Sequence, residues 1–130
     1  MPMNVVLVSP EQVLFEGEAE MVVVRTIGEG EIAFQPNHAR FLGALETSPV
    51  RLWQADGSEL KFAVCGGFVE VSNNTVTILS DVAELQSEID VERARAAKAR
   101  AEATLQGDAD DTDAKAALAR ADTRLAVAGV

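Results

Sequence analysis

A change of pattern near Ser80 divides the chain into two parts that require different secondary structure. Before it, short runs of β-branched and other apolar residues recur at intervals of roughly 8 to 12 residues, separated by glycine-rich or polar turn sequences. After it, residues 88–130 contain 14 alanines among charged side chains and no proline, a composition that strongly favours helix. We therefore predict an α+β fold, in which a β-sheet domain precedes a helical segment.

The first part has the pattern of an antiparallel β-sandwich or flattened barrel. The predicted strands cover residues 5–8, 19–26, 50–53, 60–64, 68–71 and 75–79, and the predicted turns cover 28–30, 55–58, 66–67 and 72–74. In segments such as 75–79, apolar and polar residues alternate, so one face of each strand is expected to be buried.

The second part is expected to form an antiparallel hairpin of two helices. Ser87 and Asp90 form a start signal, Gly107 is a stop signal, and an acidic cluster at 110–113 begins a second helix. The apolar stripe is thin, because alanine dominates it: Ala94, Ala97, Ala101 and Leu105, then Ala114, Leu118, Ala121, Leu125 and Ala128. Since alanine buries little surface, we predict a detachable or mobile hairpin. The domain boundary is placed between residues 86 and 87.

Composition excludes several classes of function. A net charge of -10 opposes binding to nucleic acid. One histidine and one cysteine cannot build a zinc cluster, and no run of apolar residues approaches the length of a membrane-spanning helix. Because His38 and Cys65 are the chain's only imidazole and thiol, we predict no enzyme; His38 lies in a polar turn, and Cys65 is expected to be a buried, inert thiol.

Arginines in the helical part give a hypothesis for anion binding. Arg120 and Arg124 are four residues apart and share a helical face. If the hairpin turns near residue 109, Arg93 lies opposite this pair and Asp90 lies close by. A triphosphate suits such planar donors, and Asp90 or Glu84 would accept hydrogen bonds from a base or ribose. The alternative is ordinary solvated pairing, with Asp90 acting only as a helix cap.

Several short sequence segments, in the same order along nearly the whole chain, resemble segments of the epsilon subunit of the rotary F-type ATP synthase. They are VSPE at 8–11, LFEG at 14–17, GEI at 30–32, PNHA at 36–39, GGFVEV at 66–71, NTVTILSD at 74–81 and IDVERA at 89–94. Among the departures from the family pattern, Asn37 replaces a glycine. The resemblance implies a ten-stranded β-sandwich and a two-helix hairpin, without catalytic residues or a required cofactor.

The same resemblance implies a set of partners and contacts. The subunit would lie in the central stalk beside the gamma subunit and the membrane c-ring, as a peripheral component on the cytoplasmic face of the inner membrane. It would couple rotation to ATP synthesis, and the extended hairpin would reach the alpha/beta catalytic head to inhibit hydrolysis. Expected c-ring contacts are Glu29, Glu31 and His38. A regulatory ATP, with no metal implied, would be bound by Glu84, Ile89, Asp90, Arg93, Ala94, Arg120 and Arg124.

The sequence is also compatible with two other functions. A free-standing ATP sensor would bind ATP in isolation and would lose that binding when Arg93 or Arg124 is replaced by alanine. A small enzyme would depend on His38 or Cys65.

Overall fold

The computed structural model describes residues 2–130 as eight strands followed by two helices. The strands are β1 (Met3–Val8), β2 (Val13–Ala19), β3 (Met21–Thr26), β4 (Gly30–Phe34), β5 (Phe41–Trp53), β6 (Glu59–Ser72), β7 (Thr75–Leu79) and β8 (Ala83–Leu85). A short 3₁₀ turn (Gln86–Glu88) leads to α1 (Val91–Gly107) and α2 (Thr112–Ala128). The predicted α+β class, sheet first and two helices second, is confirmed.

The strands form one sheet in the order β2-β1-β7-β6-β5-β3-β4, with β8 beside β6. Strands β5 and β6 have 13 and 14 residues and pair along nearly their full length. The sheet folds over itself, so that its inner faces enclose a single core. All pairings are antiparallel except β1 with β7, which is parallel. This pairing joins distant parts of the chain, so no local pattern predicts it.

The core of the sandwich consists mainly of branched aliphatic and aromatic side chains, drawn from the seven strands β1 to β7. Its fully buried members include Phe34, Leu52, Val64 and Ile78. Phe34 packs against Phe41, with ring centroids 5.4 Å apart. Because the alternating residues of each strand point into this core, their burial fixes the register of the sheet.

The predicted turn at residues 66–67 is wrong, since β6 continues through both glycines. Gly66 and Gly67 have φ values of 80° and 118°, in the left-handed region that glycine tolerates. A Cβ atom on Gly67 would lie only 2.0 Å from the carbonyl oxygen of Leu79. The glycines thus allow a local irregularity in a continuous strand, at the point where β6 changes neighbour from β8 to β7.

Other sequence-based boundaries also differ from the structure. The predicted strand at 19–26 is interrupted at Glu20, and β2, β4 and β8 were not predicted as strands. The ten strands that the resemblance implies correspond to eight here. β2 and β8 carry too little apolar alternation to be recognised as strands, and they form because their backbones pair with β1 and β6.

α1 ends and α2 begins where local signals place them, but the predicted start of α1 at Ser87 is wrong, because Gln86–Glu88 form a 3₁₀ turn and α1 begins at Val91. Asp90 caps α1 by accepting a hydrogen bond from the backbone N–H of Arg93, and Asp111 caps α2 in the same way through Ala114. Gly129, with φ 82°, ends α2 in a left-handed conformation. α1 packs on α2, and α2 packs on the outer face of β5 and β6. α2 therefore lies between α1 and the sheet.

Candidate functional site

A cleft of about 750 Å³ lies between the two helices and is closed at one end by the segment before α1. We call it the helix cleft. Its charged lining residues are Glu84, Glu88, Asp90, Arg93, Arg100, Asp111, Asp113, Arg120 and Arg124. The arginines lie on both helices, whereas the carboxylates occupy the two ends of the cleft. The hairpin therefore brings Arg93, Arg120 and Arg124 to one site, as the helical spacing predicts.

One of the predicted ligand arginines already has a partner. The Arg124 guanidinium donates a hydrogen bond to the carboxylate of Glu84. The two side chains are 24% and 31% exposed, respectively. This ion pair connects α2 to the sandwich through β8. Any anion that uses Arg124 would have to compete with Glu84 for it.

The remaining cleft arginines are not engaged in this way. Across residues 2–130, no carboxylate oxygen lies within 4.0 Å of the guanidinium nitrogens of Arg93, Arg100 or Arg120. By contrast, Arg95 on the outer side of α1 pairs with Glu92 at 2.9 Å. The helix cleft thus holds guanidinium groups with free donors, which is the chemistry that recognises phosphate oxygens.

The other predicted nucleotide contacts have structural roles in the folded hairpin. Asp90 is the N-cap of α1, and Ala94 is buried between the helices. Ile89 is half-buried but does not line the cleft. Sequence reasoning missed Arg100, which lies on the same face as Arg93, seven residues further along α1.

Cys65 is not in the core, which corrects the expectation of a thiol buried in an apolar strand. It is half-buried on the outer face of β6, beneath α2. Burial raises the pKa of the Cys65 thiol, and the nearby charges of Arg124 and Arg120 oppose that rise. The error arose because Ala63 and Cys65 alternate with core residues but face the helix instead.

The three predicted c-ring contacts do not form one cluster. Glu29 is exposed in the turn before β4, whereas His38 lies in the loop beyond the other end of that strand. The five residues of β4 separate these positions by about 16 Å or more. Glu31 lies on the outer face of β4, where Arg25 and Arg51 approach its carboxylate to 3.7 and 3.9 Å.

The loop that carries His38 is well anchored. The His38 ring packs edge-to-face on Phe34 with centroids 5.0 Å apart. Asn37 has φ 65°, and its backbone N–H donates to the side-chain oxygen of Asn74 at 2.9 Å. Asparagine tolerates this left-handed conformation, which explains how it can stand where the family pattern has glycine.

Sequence reasoning missed an apolar row on the sheet face that α2 does not cover. Its members are cross-strand neighbours on five paired strands and the residue that follows β3: Ile27, Ala44, Phe68, Leu79, Val8 and Val13. Phe68 is 56% exposed, and Leu42, on the same face of β5, is 72% exposed. Large exposed apolar patches of this kind mark interaction surfaces.

The apolar row has an acidic border. Glu70 pairs across strands with Leu42, and Glu16 pairs with Val6, both in the next cross-strand row. Phe68 and Leu79 are apolar at outward-facing positions, where the alternation of their strands would place polar residues. These two positions are the only local sign of the apolar row. Their alignment into one row depends on strand register and could not be read locally.

Family models match both parts of the chain. The model for the ATP synthase delta/epsilon chain β-sandwich domain matches residues 2–86, and the model for the long α-helix domain of the same chain matches residues 87–129. The chain belongs to the ATP synthase delta/epsilon family. The predicted resemblance is therefore confirmed.

Curated relatives of this ATP synthase family are named ATP synthase epsilon chain. The protein from Brevibacillus brevis is 50% identical over 103 residues, which cover 79% of this chain and 77% of the relative. The protein from Halalkalibacterium halodurans is 45% identical over 131 residues, covering 98% and 97%. The prediction of a non-catalytic subunit is confirmed, because the epsilon chain has no catalytic role in the synthase.

Two solved structures share the fold. A chain of the Euglena gracilis mitochondrial ATP synthase, solved as OSCP/F1/c-ring, has a TM-score of 0.85 and 22% identity, covering 99% of this chain and 82% of its own. A chain of the Tetrahymena thermophila mitochondrial ATP synthase central stalk/c-ring has a TM-score of 0.56 and 20% identity, covering 68% and 70%. Within residues 2–130, neither helix is long and apolar enough to cross a bilayer.

Proposed function

We propose that the chain is a rotor subunit in the central stalk of an F-type ATP synthase, where its sandwich binds the gamma subunit and the c-ring. Family membership supports this role, and so do the two structural neighbours, which come from an OSCP/F1/c-ring complex and a central stalk/c-ring complex. The observation that carries the proposal is the apolar row. The role would hold the chain at the cytoplasmic face of the inner membrane as a peripheral component of the complex.

The apolar row is the surface that we assign to the gamma subunit. It extends across the sheet on a face that α2 leaves uncovered, so it is available while the hairpin is docked. The acidic border and the net charge of -10 disfavour pairing with a second copy of the same chain. A partner with an apolar centre and a basic rim fits this surface, because such an arrangement satisfies both features.

The test is binding of the full chain to a gamma-containing synthase head that lacks this subunit. Phe68→Glu should weaken binding by roughly thirtyfold, since a central aromatic contact of this kind typically contributes about 2 kcal/mol or more. Ala55→Glu is the matched control, because Ala55 is exposed in the turn between β5 and β6. Equal affinities for the two variants, both folded by circular dichroism, would contradict the assignment.

The c-ring contacts are proposed residue by residue. Glu29 and His38 are exposed at opposite ends of β4, so replacing each alone should weaken c-ring binding without altering binding to gamma. Glu31 has its own ion pairs and should contribute less. Crosslinking from single cysteines introduced at these positions into a Cys65→Ser chain tests the contacts. Crosslinks to gamma alone would rule them out.

We further propose that the hairpin regulates ATP hydrolysis by leaving the sandwich and entering the alpha/beta head. The support is the small number of large apolar side chains that α2 buries, namely Leu125 and Val127, compared with the many that the sandwich core buries. Adding the full chain to the depleted synthase head should inhibit hydrolysis. A chain with the hairpin tethered to the sandwich by an engineered disulfide should bind but not inhibit. Equal inhibition by the free and tethered chains would contradict this role.

A second candidate function, an ATP-sensing module, is favoured by the unpaired guanidinium groups of the helix cleft. ATP would bind with its phosphates on Arg93, Arg100 and Arg120, away from the carboxylates at the cleft ends. Calorimetric titration of the isolated chain with ATP tests this. Arg93→Ala should abolish binding, whereas Arg95→Ala, on the outer side of the same helix, should not. Absence of binding at millimolar ATP would reject the module.

A further inference from the structure

Three basic residues of the sandwich form a patch beside the end of α2. Arg25, Arg51 and Lys61 lie on β3, β5 and β6, and they share a cavity of about 280 Å³ with Ala126 and Val127 of α2. Arg51 and Lys61 are direct cross-strand partners. We call these three residues the basic triad. Their grouping is notable in a domain with few basic residues and a chain with net charge -10.

The neighbouring end of α2 lacks positive charge of its own. Its last turn contains no basic residue, although the C-terminal end of a helix carries a partial negative charge from its unpaired carbonyl groups. Val127 in this turn is fully buried and therefore holds the helix end close to the sheet. The sandwich thus supplies the cations that the helix sequence omits.

Glu31 neutralises the basic triad only in part. Its carboxylate lies 3.7 Å from Arg25 and 3.9 Å from Arg51, and all three side chains are about half exposed. Within residues 2–130, no carboxylate oxygen lies within 4.0 Å of the Lys61 ammonium group. The patch therefore keeps an excess of positive charge facing α2.

We propose that the basic triad attracts the C-terminal end of α2 electrostatically and thereby stabilises the docked hairpin. Docking of the hairpin is therefore sensitive to ionic strength. The inference deepens the proposed regulatory role of the hairpin. It is measured on the isolated chain, without any synthase component, so its failure and the failure of the proposed function are distinguishable. Acidic surfaces that reach the triad would compete with α2 for it.

Cys65 provides a natural reporter of docking. It is the chain's single cysteine and lies on the outer face of β6 beneath α2, near Arg120 and Arg124. A thiol reagent should therefore react faster when the hairpin is released. Hydrogen exchange of the α2 amides gives a second readout that does not depend on thiol chemistry, because release of the hairpin removes the sheet contacts that protect α2.

The experiment compares Arg51→Glu with Arg40→Glu in the full chain. Both substitutions change the net charge equally, but Arg40 lies in the loop at the opposite end of β5. Arg51→Glu should speed both Cys65 alkylation and α2 exchange by roughly two- to fivefold at low salt. Lys61→Glu should act in the same direction, without removing the stacking of Arg51 on Trp53. Arg40→Glu should leave both rates unchanged.

Two further outcomes complete the test. Glu31→Gln should slow both rates, because it removes the carboxylate that competes with α2 for the triad. Raising the salt to 1 M, where the Debye length falls to about 3 Å, should make the alkylation and exchange rates of the variants equal. Equal rates for Arg51→Glu and Arg40→Glu would overturn the proposal, and so would differences that persist unchanged at high salt.

Discussion

The sandwich and the helical hairpin bury different kinds of side chain. The sandwich core contains fully buried Phe34, Leu52 and Ile78, whereas the contacts between the helices rest largely on alanines such as Ala94 and Ala121. Each additional buried methylene contributes about 0.8 kcal/mol. The sandwich therefore has a large reserve of hydrophobic stabilisation that the hairpin lacks.

The chain therefore combines a stable β-sandwich with a helical hairpin that is attached to it more weakly. The helices keep their shape through local devices, namely the Asp90 and Asp111 caps and the Gly129 end. Their attachment to the sandwich depends on a small apolar contact, the Glu84–Arg124 ion pair and charge. We expect the hairpin to open at a lower free energy than the sandwich unfolds.

The largest effect is expected in the sandwich core. Phe34→Ala should lower the free energy of unfolding by about 3–5 kcal/mol, because it leaves a cavity among close-packed side chains. Phe68→Ala is the matched control, since it removes the same ring from an exposed position and should cost far less. Urea unfolding followed by Trp53 fluorescence measures both. Similar losses would contradict the expectation that burial of the Phe34 ring stabilises the sandwich more than the exposed Phe68 ring does.

An overpacked helix interface should separate the two regions. Ala121→Leu forces a larger side chain into a fully buried position and should destabilise hairpin docking by about 1–3 kcal/mol. Ala116→Leu, at an exposed position of α2, is the control. Amide exchange of the helices should accelerate only in Ala121→Leu, while the midpoint of sandwich unfolding is unchanged. If that midpoint shifts equally, the two regions unfold as one unit.

Loss of a helix cap should have a smaller effect. Asp111→Ala removes the side-chain acceptor for the Ala114 N–H and should destabilise α2 by about 1 kcal/mol. Asp113→Ala, in the same turn but not the cap, should change the helix signal less. Circular dichroism during heating compares them. A larger effect for Asp113→Ala would show that charge near the helix start matters more than capping.

The smallest effect is expected for the Lys98–Asp122 ion pair between the helices, which is exposed and 3.0 Å long. The hydrogen bond and charge of Asp122 raise the pKa of Lys98. A raised pKa in the folded state means that the stabilisation is present below the unfolded pKa of lysine and is lost as the pH rises through the folded value. Lys98→Met should remove this alkaline dependence of hairpin exchange. An unchanged pH profile would exclude the pair as its source.

Local sequence patterns predict the order of the two parts, the end of α1, the start of α2 and the grouping of several arginines on one side of the hairpin. These features follow from short-range physics: residue periodicity, caps at Asp90 and Asp111, and the spacing of Arg120 and Arg124. Resemblance added the family, and with it the expectation of a non-catalytic role.

The contacts between these elements, in contrast, depend on long-range packing. The parallel β1–β7 pair, the passage of β6 through Gly67, the apolar row that includes Phe68, and the position of Cys65 under α2 all depend on strand register and on which sheet face the helices cover. A change of one residue in register moves every side chain to the other face. Such long-range choices are made by burial of the whole core and cannot be read from any local segment.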